Sequence, residues 1–408
     1  MPGISPRQPS ISNSVAALPR TANVVIVGGG IVGAATAFFL AERGISSVIL
    51  ESENLLGLRT TSMSAHCIRA QFSEPDNIAM MAESLSFYEA FAERCPPTEA
   101  GLADVHLVQQ GYLFASTDLA DRAQFEARAR VQAVSGLDDV EVIDGLEVRR
   151  RFPWLSEEIV IGTFRARDGW IDSTRAVAIF AQASAAAIVT GVTVLDIETT
   201  SSRVSGVRTD RGTISTNTAI LAAGPYSGSL SPEPLPLQCW RRHRVIVNPH
   251  PDIPQTGPVT IDANTGAHWR PHLGGALVAW ARPEPDAQAQ WPVAVDPGFS
   301  DLVLRGADGI GRLAPFWRKL AGNLGSKDIH LTAGQYTVTP DHRHLIGAAP
   351  NTTGLYLHTG YSGHGIMGCP AGSRLLAAIL DGEVSHNPFA PNRFAAGLHV
   401  PDLERVII

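Results

Sequence analysis

The sequence predicts an α/β protein of two domains, and three observations carry that expectation. A strand–helix–strand unit at residues 24–51 holds a glycine cluster at its first turn. Two further blocks that join apolar strands to glycines and small residues lie far downstream, at 213–227 and 354–380. The segments between these blocks carry many Pro, Trp and His residues in short alternating strands, as a second domain built from insertions would. A chain of 408 residues has room for two domains of about 100–200 residues each.

In the opening unit, Val24 to Val27 is a continuous apolar run of the kind that suits a strand covered on both faces. Ile31 to Arg43 keeps a helical pattern and stops at Gly44. Ser47 to Leu50 repeats the apolar strand and ends on Glu51. Gly28, Gly30 and Gly33 form GxGxxG at the first turn, and each glycine has its own reason. The first frees the backbone for a tight turn, the second lets a pyrophosphate approach, and the third lets the helix pack closely on the sheet. The helix N-terminus at Ile31 and Val32 then offers N–H groups to phosphate. Glu51, followed by Ser52, stands 21 residues after Gly30, where a carboxylate accepts hydrogen bonds from a ribose diol. Strand, helix, second strand and acid in one register predict a dinucleotide site, and the acid disfavours a 2′-phosphate.

Further along, helices are expected at Ile78 to Arg94, Asp121 to Ser135 and Ser173 to Ala187, with a strand at Val192 to Leu195. Ala219 to Ala223 reads as a buried strand that ends in small residues before Gly224, which permits close approach of a flat ring or a backbone. Ala276 to Ala281 is a short strand of the second domain, and "GLYLHTGYSGHGIMGCPAGSRLLAAIL" reads as strand, glycine loop and helix. The expected division assigns residues 1–20 to a flexible tail and 21–77, 156–235 and 333–408 to a discontinuous nucleotide domain. Residues 78–155 and 236–332 then form the substrate domain.

Composition excludes several functions. A formal charge of −7, with no block of one sign, argues against nucleic acid, and no window is apolar enough to span a membrane. Cys67, Cys95, Cys239 and Cys369 are far apart and show no metal-ligand spacing, so no metal site is expected and reduced thiols in the cytoplasm are.

With these motifs in place, the chain resembles the D-amino-acid oxidase superfamily of FAD enzymes, in its glycine oxidase and sarcosine oxidase branch. The pieces that carry the resemblance are "VVIVGGGIVGAATAFFLAERG", "SAHCIRAQFSEPDNIAMMAESLSFYEAF", "AILAAGPYS", "GQYTVTPDHRHLIG" and "GLYLHTGYSGHGIMGCPAG". It implies a Rossmann-like FAD-binding domain with an inserted substrate domain of antiparallel sheet and helices, the ring lying between the two. The loop after Glu51 would wrap the flavin through Thr61, Ser62, Ser64 and Ala65. Ala223 and Gly224 would lie against the cofactor, and Gly363, His364, Gly365, Ile366 and Met367 would face the ring. Arg69 matches an arginine that pairs with the substrate carboxylate, where a planar guanidinium can bind bidentately. Tyr336 matches a position that adds a second contact to the same group. His342 and His344 read as surface residues.

Departures from the pattern matter as well. Gly334 and Met63 stand where relatives carry a flavin-tethering cysteine or histidine, so noncovalent FAD is expected. Met367 replaces a lysine that helps bind carboxylate, and no lysine associated with oxygen activation has a counterpart in "RPHLGGALVAWARP". The resemblance implies oxidation of an amino acid at its Cα–N bond, preferably glycine or an N-substituted glycine, giving an imine that hydrolyses to glyoxylate and an amine. O2 is the expected acceptor, with H2O2 as product. A dehydrogenase that passes electrons to a carrier and a flavin-binding subunit of a heteromeric oxidase remain alternatives. Trp240, Trp269 and Trp280 suggest an apolar pocket wall.

Overall fold

The computed structural model describes residues 17–286, 288–384 and 386–394. Most of the expected 1–20 tail lies outside the described residues, as does the end of the 333–408 segment.

Six strands form the first sheet, in the spatial order Leu345–Ala348, Leu355–Thr359, Ala219–Leu221, Val24–Val27, Ser47–Leu50 and Ala187–Val189. All neighbours are parallel except the first pair. Alternate residues of the opening strand serve different cores, which explains its continuous apolar run. Val24 and Ile26 join a helical layer, whereas Val25 and Val27 join a layer shared with the antiparallel meander Val194–Thr200, Arg203–Thr209 and Gly212–Ser215. The helical layer contains Ile31–Glu42, Ser173–Ala183, Gly365–Leu380 and Pro75–Glu89. Phe38, Phe87, Phe91 and Phe180 knit it together, with Phe91 and Phe180 edge to face at 5.0 Å.

Helix ends depart from expectation for local reasons. The 78–94 helix is two helices, Pro75–Glu89 and Phe91–Arg94, and the first starts on Pro75, whose fixed φ suits an initial turn. Asp172 caps Ser173–Ala183 by accepting from the N–H groups of Thr174 and Arg175. That helix stops four residues early because Ala187 is taken by the edge of the six-stranded sheet, opposite Val48. The strand expected at 192–195 runs from Val194 to Thr200.

A second sheet has nine strands and contains Gln238–Val247, Ala267–His272, Gly275–Trp280 and Ile329–Val338. It is antiparallel except where Val259–Asp262 runs parallel beside Tyr112–Ser116. Its core is closed by the short helices Phe299–Arg305 and Phe316–Ala321, with Trp269 and Trp317 fully buried. The expected boundaries do not follow these sheets. Pro75–Glu89 packs with the first sheet's helices, whereas Ile161–Arg165 and Ile329–Val338 are strands of the second. We propose that the substrate domain takes these two strands and cedes that helix.

Several histidines are buried and neutral. His344, expected at the surface, has no exposed area and stacks on Tyr361 at 4.3 Å between ring centres. His358 shares hydrogen bonds with Thr36 Oγ1 at 2.8 Å and Tyr361 Oη at 2.6 Å. Burial pushes both imidazoles down to about 3, and that of His268 to about 4. An unfolded histidine takes up its proton near pH 6.5, so the folded state keeps its full stability above that pH and loses it as pH falls toward 4. Each of the three should cost about 2 kcal/mol at pH 5. The urea midpoint is therefore expected to drop steeply between pH 7 and 5; a flat profile would show that these rings are not held neutral.

Candidate active site

A cavity of about 460 Å³ is lined by residues of both sheets. At one end stands the glycine turn. Gly28 has φ +108, and a Cβ there would lie 2.5 Å from the Ala222 carbonyl oxygen. At Gly33 a Cβ would meet the Gly28 carbonyl oxygen at 2.0 Å, so these two glycines let helix, turn and neighbouring strand touch. Gly30 differs: its Cβ would point into open space, with only Thr61 Oγ1 at 3.4 Å. Glu51 closes this end, where its carboxylate accepts from the N–H groups of Gly29 and Glu53 at 2.8 Å each and from Ser52 Oγ at 3.1 Å. Ile31, Val32, Ser52, Ala223 and Gly224 line the same end.

The loop after Glu51 runs along the cavity. Thr61 Oγ1 accepts from the Ile31 N–H at 3.1 Å, which ties the loop to the helix start, and Ser64 Oγ donates to the Thr61 carbonyl at 2.8 Å. Thr61, Ser64 and Ala65 line the cavity; Ser62 does not, because its hydroxyl turns back to the carbonyls of Leu58 and Arg59. Two arginines of the second sheet hold the loop. Arg244 donates to the carbonyls of Ser62 and Ser64 at 2.9 and 2.6 Å, and Arg270 to that of Ala65 at 3.0 Å. Burial lowers Arg244 to about 10, with Arg270 adding to the effect. Burial and this pair of cations push His66 down to about 3, so it is neutral.

On the second sheet's side Arg242, His268, Trp280 and Tyr336 line the cavity, with Arg242 near both Tyr336 and His268 and Trp280 also part of that sheet's core. Arg242 and Arg244 are two residues apart in one strand and therefore share a face. One nitrogen of Arg242, Nη1, is spent on the carbonyls of Arg241 and Arg282. Its guanidinium carbon lies 5.0 Å from the Tyr336 ring centre. The Tyr336 hydroxyl is buried, makes no hydrogen bond of full geometry to a described residue, and has Arg242 as its polar neighbour; burial pushes its phenol up, and the charge and side-chain hydrogen bonding of Arg242 partly offset this. Among the described lining residues Glu51, after the first sheet's strand Ser47–Leu50, is the sole carboxylate, whereas Arg242, Arg244 and Tyr336 belong to the second sheet.

A family model described as DAO, FAD dependent oxidoreductase, matches residues 23–379. The chain belongs to this family. FAD is its cofactor, and an open Gly30, the carboxylate of Glu51 and the small residues at 222–224 form a cradle that fits the nucleotide. FAD-dependent oxidoreductase domain-containing protein 1 of Xenopus laevis is 26% identical over 96% of this chain and 85% of its own. Mitochondrial sarcosine dehydrogenase of Homo sapiens is 26% identical over 90% of this chain, which spans only 40% of that relative's length. Among solved structures, L-proline dehydrogenase from P. horikoshii has a TM-score of 0.80 at 23% identity, covering 93% of this chain and 99% of that one. Glycine oxidase from Geobacillus kaustophilus gives 0.77 at 23%, covering 92% and 99%. At that identity the likeness is one of fold. Among the described residues no helix is long and apolar enough to cross a membrane.

Within this DAO-family frame, Gly363, Gly365, Ile366 and Met367 line the cavity at the start of the helix Gly365–Leu380. His364 does not: its ring packs edge to face on Phe72 at 4.8 Å, and its backbone N–H is committed to the Tyr361 carbonyl at 2.8 Å. Gly334 lines the cavity against Met63, whose Cβ would lie 2.7 Å from a Cβ at 334. The two expected tethering positions thus meet, and neither bears a nucleophile.

Arg69 is placed elsewhere. Its side chain is 1% exposed, donates to the Gln71 carbonyl and lies 3.8 Å over the Phe72 ring, in a second, smaller cavity with Gln71, Phe114 and Gln132. It does not meet Tyr336. Lining residues absent from the sequence expectation include Arg242, Arg244 and His268. The signal for the two arginines was present in "QCWRRHRVIV", whose alternation puts both on one face, but which face meets the nucleotide domain depends on sheet packing. Of the three tryptophans expected in the pocket wall, Trp280 lines it, Trp269 is core, and Trp240 lies outside; Trp291 lines it as well.

Proposed function

We propose that the chain oxidises the Cα–N bond of an amino acid, with an N-substituted glycine as the preferred substrate. The observation that supports this most is the buried Tyr336 hydroxyl beside Arg242, on the second sheet's side of the cavity, whereas Glu51 belongs to the first. A phenol and a guanidinium side by side can both donate to one carboxylate, and so hold the adjacent carbon in place. Arg242 takes over the role expected of Arg69, Tyr336 keeps its own, and Met367 and Trp280 supply apolar wall for an N-substituent. FAD, when bound, supplies the two-electron acceptor. The substrate R–NH–CH2–COO⁻ is oxidised to an imine, which water hydrolyses to glyoxylate and R–NH2; O2 receives the electrons and, with two protons, becomes H2O2.

A second reading hands the electrons to a carrier. It is favoured by the lining residues, which include no lysine among those described. Anaerobic flavin bleaching by glycine, sarcosine, longer N-alkylglycines and proline tests the substrate class. Rapid bleaching by at least one secondary amino acid is expected, and none would remove the proposal. For any substrate that bleaches, stoichiometric peroxide in air supports the oxidase, whereas slow reoxidation with fast dye reduction supports the carrier. The four unpaired cysteines keep the cytoplasm as the proposed compartment.

A further inference from the structure

The geometry points to His268 as the group that receives the substrate's amine, a role that rests on the amino-acid reading above. His268 belongs to the strand Ala267–His272 and lines the cavity close to Arg242. Its Nδ1 lies 2.9 Å from the carbonyl oxygen of Gly266. A carbonyl can only accept, so Nδ1 carries the ring proton and Nε2 is left with a bare lone pair. Among the described residues no group donates to that lone pair. Gly266 is itself fixed, with φ +80 and its N–H on the Asp262 carbonyl at 2.7 Å, so the tautomer is built into the turn.

This arrangement gives the cavity a direction. An ionised carboxylate offers only acceptor atoms, which an acceptor at Nε2 repels and the donors of Arg242 and Tyr336 attract. An amine N–H is repelled by the guanidinium and satisfied by Nε2. A ligand with carboxylate and N–H on one carbon therefore fits in one orientation, and its isostere with CH2 in place of NH leaves the imidazole unpaired. Discrimination of that kind is far stronger than an apolar wall alone provides. Burial, with Arg242 adding to it, holds the ring neutral down to about pH 4, so the lone pair is present throughout the physiological range.

The test uses the FAD-loaded enzyme with sarcosine and butyrate, which differ by NH for CH2. Butyrate binding is read from the perturbed flavin spectrum and sarcosine from anaerobic bleaching. His268→Asn keeps an amide N–H for Gly266 but removes the acceptor at Nε2. His268→Gln carries an amide oxygen at about the depth of Nε2. For His268→Asn, the expected result is a tenfold or greater loss in the second-order rate of bleaching by sarcosine, with butyrate affinity within twofold of wild type. His268→Gln should recover part of the loss. Unchanged sarcosine reaction in His268→Asn overturns the inference. So does a parallel loss for both ligands, which would make His268 a wall residue. If sarcosine fails but another amino acid of the panel bleaches the flavin, that substrate and its isostere with CH2 for NH take the place of the pair; if none bleaches it, the amino-acid reading fails and takes this inference with it.

Discussion

Gly30→Val should yield a folded protein stripped of FAD. At Gly30 an added Cβ meets only Thr61 Oγ1, at 3.4 Å, and Gly30 lines the cavity, so the fold offers far less resistance there than at Gly28 or Gly33. The pyrophosphate does, because its approach to the turn depends on a bare backbone there. Flavin absorbance per protein is expected to fall at least tenfold with the far-ultraviolet circular dichroism unchanged. Gly33→Val is the contrast: a Cβ 2.0 Å from the Gly28 carbonyl oxygen forces the helix off the sheet, so folding itself should fail. Full flavin retention in Gly30→Val would place the nucleotide elsewhere in the cavity.

Arg242→Met should lower kcat/KM for the best amino-acid substrate by about 100- to 1,000-fold, about 3–4 kcal/mol of lost transition-state stabilisation. The loss follows from its position: Arg242 lines the cavity beside Tyr336 and only its Nη1 is spent on protein carbonyls, while the nearby carboxylate of Glu284 is not among the described lining residues. FAD content should stay near wild type, because Arg244 and Arg270, not Arg242, hold the flavin loop. Arg69→Met provides the control. Its guanidinium rests on Phe72 outside the main cavity, so kcat/KM should stay within about threefold while the melting temperature shifts. A large rise in KM for Arg69→Met with none for Arg242→Met would return the carboxylate to Arg69.

The nucleotide half of the site was legible because its determinants are local. Gly28, Gly30, Gly33 and Glu51 lie within 24 residues, and one strand–helix–strand unit brings them together without help from the rest of the chain. Tyr336, Gly334 and Met367 were reached only through family resemblance, since they are hundreds of residues from Glu51. The burial of His344 is hidden from the sequence for a related reason. A polar residue in a Pro–Asp–His–Arg–His turn reads as exposed, yet the ring of Tyr361 and the C-terminal Phe389 cover it from distant parts of the chain.

The substrate half depended on tertiary structure. The alternation of "QCWRRHRVIV" determines that Arg242 and Arg244 share a face, but a period of two leaves open which face that is. Pairing with Ile329–Val338 on one side and Gly275–Trp280 on the other settles the strand's place, and with it the end of the cavity that receives two guanidinium groups. Arg69 shows the converse. Its position after the flavin loop marked it as a carboxylate clamp, and the packing of Phe72 and Phe114 against its guanidinium drew it away from the cavity. By itself the sequence determined the cofactor cradle, because backbone freedom and close approach are properties of individual residues. Only the fold decided which cations line the cavity, because the direction of a long side chain is set by the neighbours that bury its stem.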